Sequence, residues 1–172
     1  PLRGHKATLY EGGVRSSLVA WAPGLMPEKI QGSRNRDSVF AAIDLVPSLL
    51  SMTGTAAPAG VTFDGENLAD TLLGNSAAAR KKPLFFRRPP DRENFRHYSA
   101  LPDLAVRSGK WKLYCDYDGG NPELYNLSED VSEQNIVTVQ NPSIVASLKE
   151  QLLSWHVSMP PDNGPALGKL PQ

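Results

Sequence analysis

Gly4-His5-Lys6-Ala7-Thr8-Leu9-Tyr10-Glu11-Gly12-Gly13-Val14-Arg15 lies near the start of the chain and leads into Leu18-Val19-Ala20-Trp21-Ala22-Pro23-Gly24. Glycines at positions 4, 12 and 13 let the backbone turn sharply or come close to a ligand. Lys6 stands among them, and Glu11 and Arg15 carry opposite charges that can pair and hold the loop. On spacing alone Lys6 reads as a solvated lysine on a glycine-rich turn. The apolar run from Leu18 to Trp21 reads as a buried strand, stopped by Pro23-Gly24.

Downstream, Val39 to Met52 begins extended and then turns helical. Ile43, Val46, Leu49 and Leu50 share one face, Pro47 falls in the first turn where a missing amide hydrogen costs nothing, and Thr53-Gly54 closes the helix. Thr55 to Gly60 is a linker of small residues. Phe63 to Gly74 reads as a turn feeding a short helix, with Asn67 as its N-cap.

Strands are predicted at Pro83 to Arg87, Leu104 to Arg107, Lys110 to Tyr114 and Asn121 to Asn126, with Ser108-Gly109 as a tight hairpin. Trp111, Leu113 and Cys115 alternate with Lys110, Lys112 and Tyr114, the period of a sheet buried on one face. Asp130-Val131-Ser132-Glu133 has the spacing of a capping box. Asn141-Pro142 starts the clearest helix, whose stripe of Val145, Leu148, Leu152, Trp155 and Met159 runs to the breaker Pro160-Pro161. Pro160 to Gln172 has no apolar period and reads as a tail.

Among 172 residues, 18 basic and 18 acidic side chains cancel, so no bulk charge draws the chain to nucleic acid or to an anionic membrane. No apolar run approaches the roughly 20 residues that span a bilayer. The single cysteine forbids an internal disulfide and a cysteine-built zinc site. Basic residues crowd Arg80 to Arg96, where Pro89-Pro90 opposes regular structure, and an irregular loop presenting guanidinium groups is expected there.

The glycine-lysine stretch resembles the G-x-K-x-x-x-Y-E-G-G-x-R segment of the type I sulfatases, the arylsulfatase and N-acetylgalactosamine-sulfatase-like enzymes of the alkaline-phosphatase-like superfamily. Ala41 to Leu50 is similar to their D-L-x-P-T-L-L helix, and Phe63 to Gly74 to their D-G-x-S-L-x-x-x-L-x-G segment. Trp111-Lys112-Leu113, Glu123 to Leu127 and Glu129 to Asn135 resemble W-K-L, E-L-Y-D-L and D-P-x-E-x-x-N near the sulfatase C-terminus. The resemblance therefore covers roughly residues 4 to 159, in one order.

It implies the C-terminal part of an alkaline-phosphatase-like fold, α/β passing to α+β, with a small antiparallel sheet packed on a C-terminal helix. Residues 1–60 would belong to the large α/β domain, 61–159 to a small α+β subdomain and 160–172 to a tail. Hydrolysis of a sulfate ester, of a sulfated carbohydrate by choice, is the implied reaction. Lys6 is the implied catalytic residue, steadying charge on the ester. His5, His97, Arg87 and Arg88 are candidate substrate-binding residues, and His156 reads as structural.

The formylglycine nucleophile and the calcium of the family are expected in an upstream part of the same polypeptide, since a sequence beginning at Pro1 inside the motif reads as part of something longer. Cys115 lacks the C-x-P-S-R context of the formylglycine precursor, and Asp162-Asn163-Gly164-Pro165 stands too late to be the family's D-N-G metal motif and reads as a turn. No metal ligands are assigned in this chain, and alone it is expected to be inactive. A periplasmic, secreted or lysosome-like compartment follows from the resemblance only. Two other readings stay open: a phosphodiesterase or phosphonate hydrolase of the same superfamily, and a non-catalytic module that binds sulfated polysaccharide through Arg80 to Arg96.

Overall fold

The computed structural model describes residues 2–89 and 101–161. Two compact units emerge, one formed by residues up to Ser16 together with those from Leu84 onward, the other by Ser17–Pro83. The opening loop thus groups with the sheet rather than with the segment that follows it, a different division from the cut after residue 60 that the sequence implies.

The first unit is built on strands β1 (Leu84–Arg87), β2 (Leu104–Ser108), β3 (Trp111–Cys115) and β4 (Glu123–Asn126), antiparallel and in the order β1-β2-β3-β4. Ser108 pairs with Trp111 across a two-residue turn, where Gly109 takes a φ of 55°. One face carries Leu104, Val106, Leu113, Cys115 and Leu124, packed with Val145, Leu148 and Leu152 of a helix running Pro142–Ser158. Trp155 of that helix stacks on Phe85 at 5.3 Å between ring centroids. Asn141 does not cap this helix with its side chain, which instead donates to the Val137 carbonyl.

The second sheet face departs from expectation. Lys112 and Tyr114 are fully buried, because Leu9 and Tyr10 of the opening loop lie over this face with Ala105, Tyr114, Tyr125 and Leu127. Alternation of apolar and polar residues identified the strand but took its polar face for a wet one. The expected capping box at Asp130 to Glu133 is a turn instead of a helix start. Asp130 Oδ2 accepts from the Gln134 and Asn135 amides, and Glu133, at a φ of 55°, points into the buried face.

In the second unit, helix Leu45–Thr53 follows a 3-10 turn at Ala42–Asp44, with Pro47 in its first turn. Gly54 ends it in the left-handed conformation, and the Thr55 amide reaches back to the Leu50 carbonyl at 2.9 Å. Its facing is the reverse of the apolar stripe. Asp44 and Ser48 are fully buried, whereas Ile43, Val46 and Leu49 are about half exposed. Polar anchoring explains this: Ser48 Oγ donates to the Asp44 carbonyl and accepts from the Leu68 amide, tying in the short helix Ala69–Leu72. Asn67 is not the N-cap expected of it: Leu68 holds that position, and Asn67, one residue earlier, accepts from the Ala69 amide through Oδ1 at 3.1 Å.

Leu18 to Trp21 forms no strand. It has no paired neighbour, and Val19 and Trp21 are 87% and 85% exposed. A strand needs a partner for its amides, and an apolar run of four residues supplies none by itself.

Candidate functional site

Lys6 lies in a loop that closes on itself. The Gly12 amide donates to the Arg3 carbonyl at 2.8 Å, joining the two ends, and Thr8 bonds back to His5 through its amide and hydroxyl. Gly12 and Gly13 form the middle of a four-residue helix, Glu11–Val14. A side chain at Gly13 would overlap the Thr8 carbonyl oxygen, so only glycine lets the chain pass so close. Ala7, directly after the lysine, takes a φ of 75°, a left-handed conformation that costs a residue with a side chain about 1–2 kcal/mol. Lys6 itself is exposed, and its ammonium has no carboxylate partner among the described residues. His5 is exposed too, with Nδ1 2.8 Å from the Lys6 carbonyl oxygen.

Beneath the loop lies a cluster of charges. Glu11 is 1% exposed; its Oε1 accepts from Lys112 Nζ at 2.7 Å and its Oε2 from Arg107 Nη1 at 3.2 Å. Arg107 and Lys112 are direct partners across β2 and β3, an arrangement in which like charges repel. The Glu11 carboxylate set between them turns that repulsion into a bridge. The expected Glu11 to Arg15 pair is also present, at 3.8 Å with Arg15 largely exposed, and is the weakest of the three. Glu133 completes the cluster: its Oε2 accepts from the Glu11 amide at 2.8 Å, its Oε1 from the Tyr114 hydroxyl, and it stands 3.5 Å from Lys112. Arg3 lies over the Tyr10 ring at 3.9 Å and donates to the Tyr125 hydroxyl at 2.6 Å.

Burial pushes the Tyr114 phenol far above its ordinary value, helped by its bond to Glu133 and by the Glu133 and Glu11 charges. Tyr125 is raised by burial and by its bond to Glu123, and Tyr10 by burial. Each raised phenol contributes stability that is whole below the unfolded value of about 10 and is lost as pH rises through the folded one. Three of the five tyrosines should therefore ionise late, together with unfolding, in an ultraviolet absorbance titration. A single ordinary titration of all five would contradict this packing.

The remaining candidates divide. His97, Arg92 and Arg96 lie outside the described residues, as does Asp162 to Pro165. Arg87 belongs to β1 and donates to the Pro160 carbonyl at 3.2 Å, whereas Arg88 is buried, paired with Asp103 at 3.1 Å and bonded to the Leu101 carbonyl. Arg80 is buried in the second unit against Asp44 at 3.0 Å. Among the described residues, then, Arg80 and Arg88 do not present their guanidinium groups as the expected loop would. Cys115 is wholly buried, and burial pushes its thiol up to about 11, so it fits neither a nucleophile nor a formylglycine precursor. Among the described residues, no three His, Cys, Asp or Glu side chains converge to hold a metal ion. No helix among them is long and apolar enough to cross a membrane. His156 stacks on Tyr117 at 5.2 Å between ring centroids.

Sequence reasoning found the lysine loop but missed Lys112, Glu133 and Arg107 beneath it. No local signal marks them: Lys112 lies between Trp111 and Leu113 in an alternation that reads as a solvated face. A loop dense in glycine has few apolar side chains with which to cover a sheet, so acidic Glu11 within it needed a cation from elsewhere.

Residues 5–158 match the family described as N-sulphoglucosamine sulphohydrolase, C-terminal. Arylsulfatase K of Mus musculus is 30% identical over 153 residues, which cover 87% of this chain and 26% of that protein. N-acetylgalactosamine-6-O-sulfatase of Bacteroides thetaiotaomicron is 30% identical over 167 residues, 88% of this chain and 29% of that protein. A solved sulfatase described in connection with glycosaminoglycan metabolism by Bacteroides thetaiotaomicron superposes with a TM-score of 0.71 at 25% identity, over 91% of this chain and 32% of that one. Ps i-CgsB, solved with a neocarrahexaose, shares the fold with a TM-score of 0.72 at 23% identity, over 90% of this chain and 32% of its own. The fold is that of the C-terminal part of alkaline-phosphatase-like sulfatases, and the chain spans about a third or less of the length of these proteins.

Proposed function

The chain belongs to the N-sulphoglucosamine sulphohydrolase C-terminal family of sulfatases, and we propose that it is the part of a sulfate-ester hydrolase that brings Lys6 to the sulfate group. The observation that carries this reading is the contrast between Lys6 and its support: an exposed ammonium without a carboxylate partner among the described residues, on a loop fixed from below by buried ion pairs. As the S–O bond breaks, negative charge shifts to the leaving oxygen, and an ammonium already in position stabilises it without reorganising. His5 shares the loop and is the nearest candidate for a substrate contact.

Formylglycine and calcium, which the family resemblance implies, would be supplied by an upstream part of the polypeptide. Exposed Leu18, Val19 and Trp21, with the half-exposed face of Ile43, Val46 and Leu49, support docking of the second unit against such a part. A sulfated sugar is the substrate class proposed, supported by the relative that bears the name of an N-acetylgalactosamine-6-O-sulfatase.

In the full polypeptide, Lys6→Ala is expected to lower turnover of an aryl sulfate and of 6-O-sulfated N-acetylgalactosamine about 100- to 1,000-fold. The 172-residue chain alone is expected to give no multiple turnover with calcium added. Wild-type rates in the Lys6→Ala protein, or calcium-dependent turnover by the isolated chain, would sink the reading, and preference for a phosphodiester would move it to the phosphodiesterase branch.

A further inference from the structure

We propose that Glu133 is a positioning residue for Lys6, holding the lysine loop in the register that the reaction needs; this rests on Lys6 acting at the sulfate. Glu133 grips both ends of the closed loop. Its carbonyl accepts from Arg3 Nη1 at 3.2 Å, where the loop begins, and its Oε2 accepts from the Glu11 amide at 2.8 Å, where the loop ends. Its other carboxylate oxygen accepts from the Tyr114 hydroxyl, which also lies 3.3 Å from the Leu9 carbonyl on the loop's return limb. One residue from a distant turn therefore reaches the start, the end and, through Tyr114, the middle of the return.

Two features argue that this is more than packing. The Glu133 side chain is fully buried, and replacing buried ion pairs by well-packed apolar residues is often neutral or stabilising, so stability alone does not call for a carboxylate here. Glu133 also takes a φ of 55°, as Ala7 beside the lysine takes 75°, so backbone strain sits both at the grip and at the loop it grips. Strained conformations persist where surrounding structure over-determines them, and they cluster at sites that must be held in one geometry.

Glu133→Gln keeps the shape but leaves one acceptor oxygen where the Glu11 amide and the Tyr114 hydroxyl need two. The test is a double-mutant cycle in the full polypeptide, comparing wild type, Glu133→Gln, Lys6→Ala and the double variant by kcat and KM on an aryl sulfate. Glu133→Gln is expected to lower kcat by about 10- to 100-fold, the size of a loss through misplacement, with KM changed less than about threefold. The double variant should be no slower than Lys6→Ala alone, because a misplaced lysine and an absent one forfeit the same interaction. Additive losses, or a normal kcat in Glu133→Gln, overturn the proposal while leaving the role of Lys6 intact. A fully active Lys6→Ala protein overturns both. Should Glu133→Gln fail to fold, Tyr114→Phe, which keeps the ring and removes only the hydroxyl, carries the same cycle with the same expected outcomes.

Discussion

Replacing Lys112 by methionine is expected to cost the sheet unit about 3–5 kcal/mol, a large share of the stability of a domain of this size. The Lys112 side chain is fully buried, with Glu11 Oε1 2.7 Å and Glu133 Oε1 3.5 Å from its ammonium. Methionine has nearly the same length and packs comparably, so volume is not the issue. What remains is a pair of carboxylates, 1% and 0% exposed at their side chains, with one cation fewer between them. Arg107 does not make good the loss, because among the described residues its ion pair with the cluster is to Glu11 alone. Arg107→Met, at a residue partly open to solvent, should cost only about 1 kcal/mol. Denaturant unfolding at neutral pH checks both, read as a shift in midpoint with slope unchanged. A Lys112→Met protein within about 1 kcal/mol of wild type would mean that the buried pair is not formed.

The same residue shows where the sequence stops being legible. Strand limits, the Gly109 turn, Pro142 at the start of the long helix and Gly54 at the end of the shorter one follow from local rules, and the structure has them within a residue or two. Which face of an element is buried is not local. Lys112 and Tyr114 look solvated until the loop from Arg3 to Glu11, distant in sequence, brings a carboxylate to them. Helix Leu45–Thr53 looks as though it should bury Ile43, Val46 and Leu49, but its second unit is organised around Asp44 and Ser48. In both cases hydrophobic periodicity misleads for one reason: a polar side chain with all its partners supplied is as much at home inside as a leucine. Resemblance singles out Lys6 as a candidate, whereas nothing in the spacing of Glu11, Lys112 and Glu133 announces that they meet.

Asp44→Ala is expected to have the largest effect in the second unit, about 3–5 kcal/mol, because it strands a buried guanidinium. Asp44 is fully buried and does three things. Its Oδ2 accepts from the Ala41 amide at 2.8 Å, its Oδ1 accepts from the Glu66 amide at 2.8 Å, and both oxygens meet Arg80 Nη1, at 3.0 and 3.2 Å. Alanine leaves two amides without their acceptor and Arg80, with a side chain 3% exposed, resting on Glu66 at 3.5 Å. Asp44→Asn, which keeps an acceptor and the shape, should cost less, about 2 kcal/mol, the size of a lost charge-assisted bond. Glu66 then becomes the residue to watch. Burial alone would raise its carboxyl, but the Lys82 and Lys81 amides and Arg80 outweigh that and hold it below the ordinary 4.5. A depressed carboxyl contributes stability that is present above 4.5 and is lost as pH falls through the folded value, so Asp44→Ala should be most sensitive to acid in that window. Amide exchange over residues 41–48 and 64–82, measured at neutral pH and near pH 4, reports the effect where it arises. Unchanged protection of these amides in Asp44→Ala would show that Arg80 is not held by Asp44 and that another contact organises the unit.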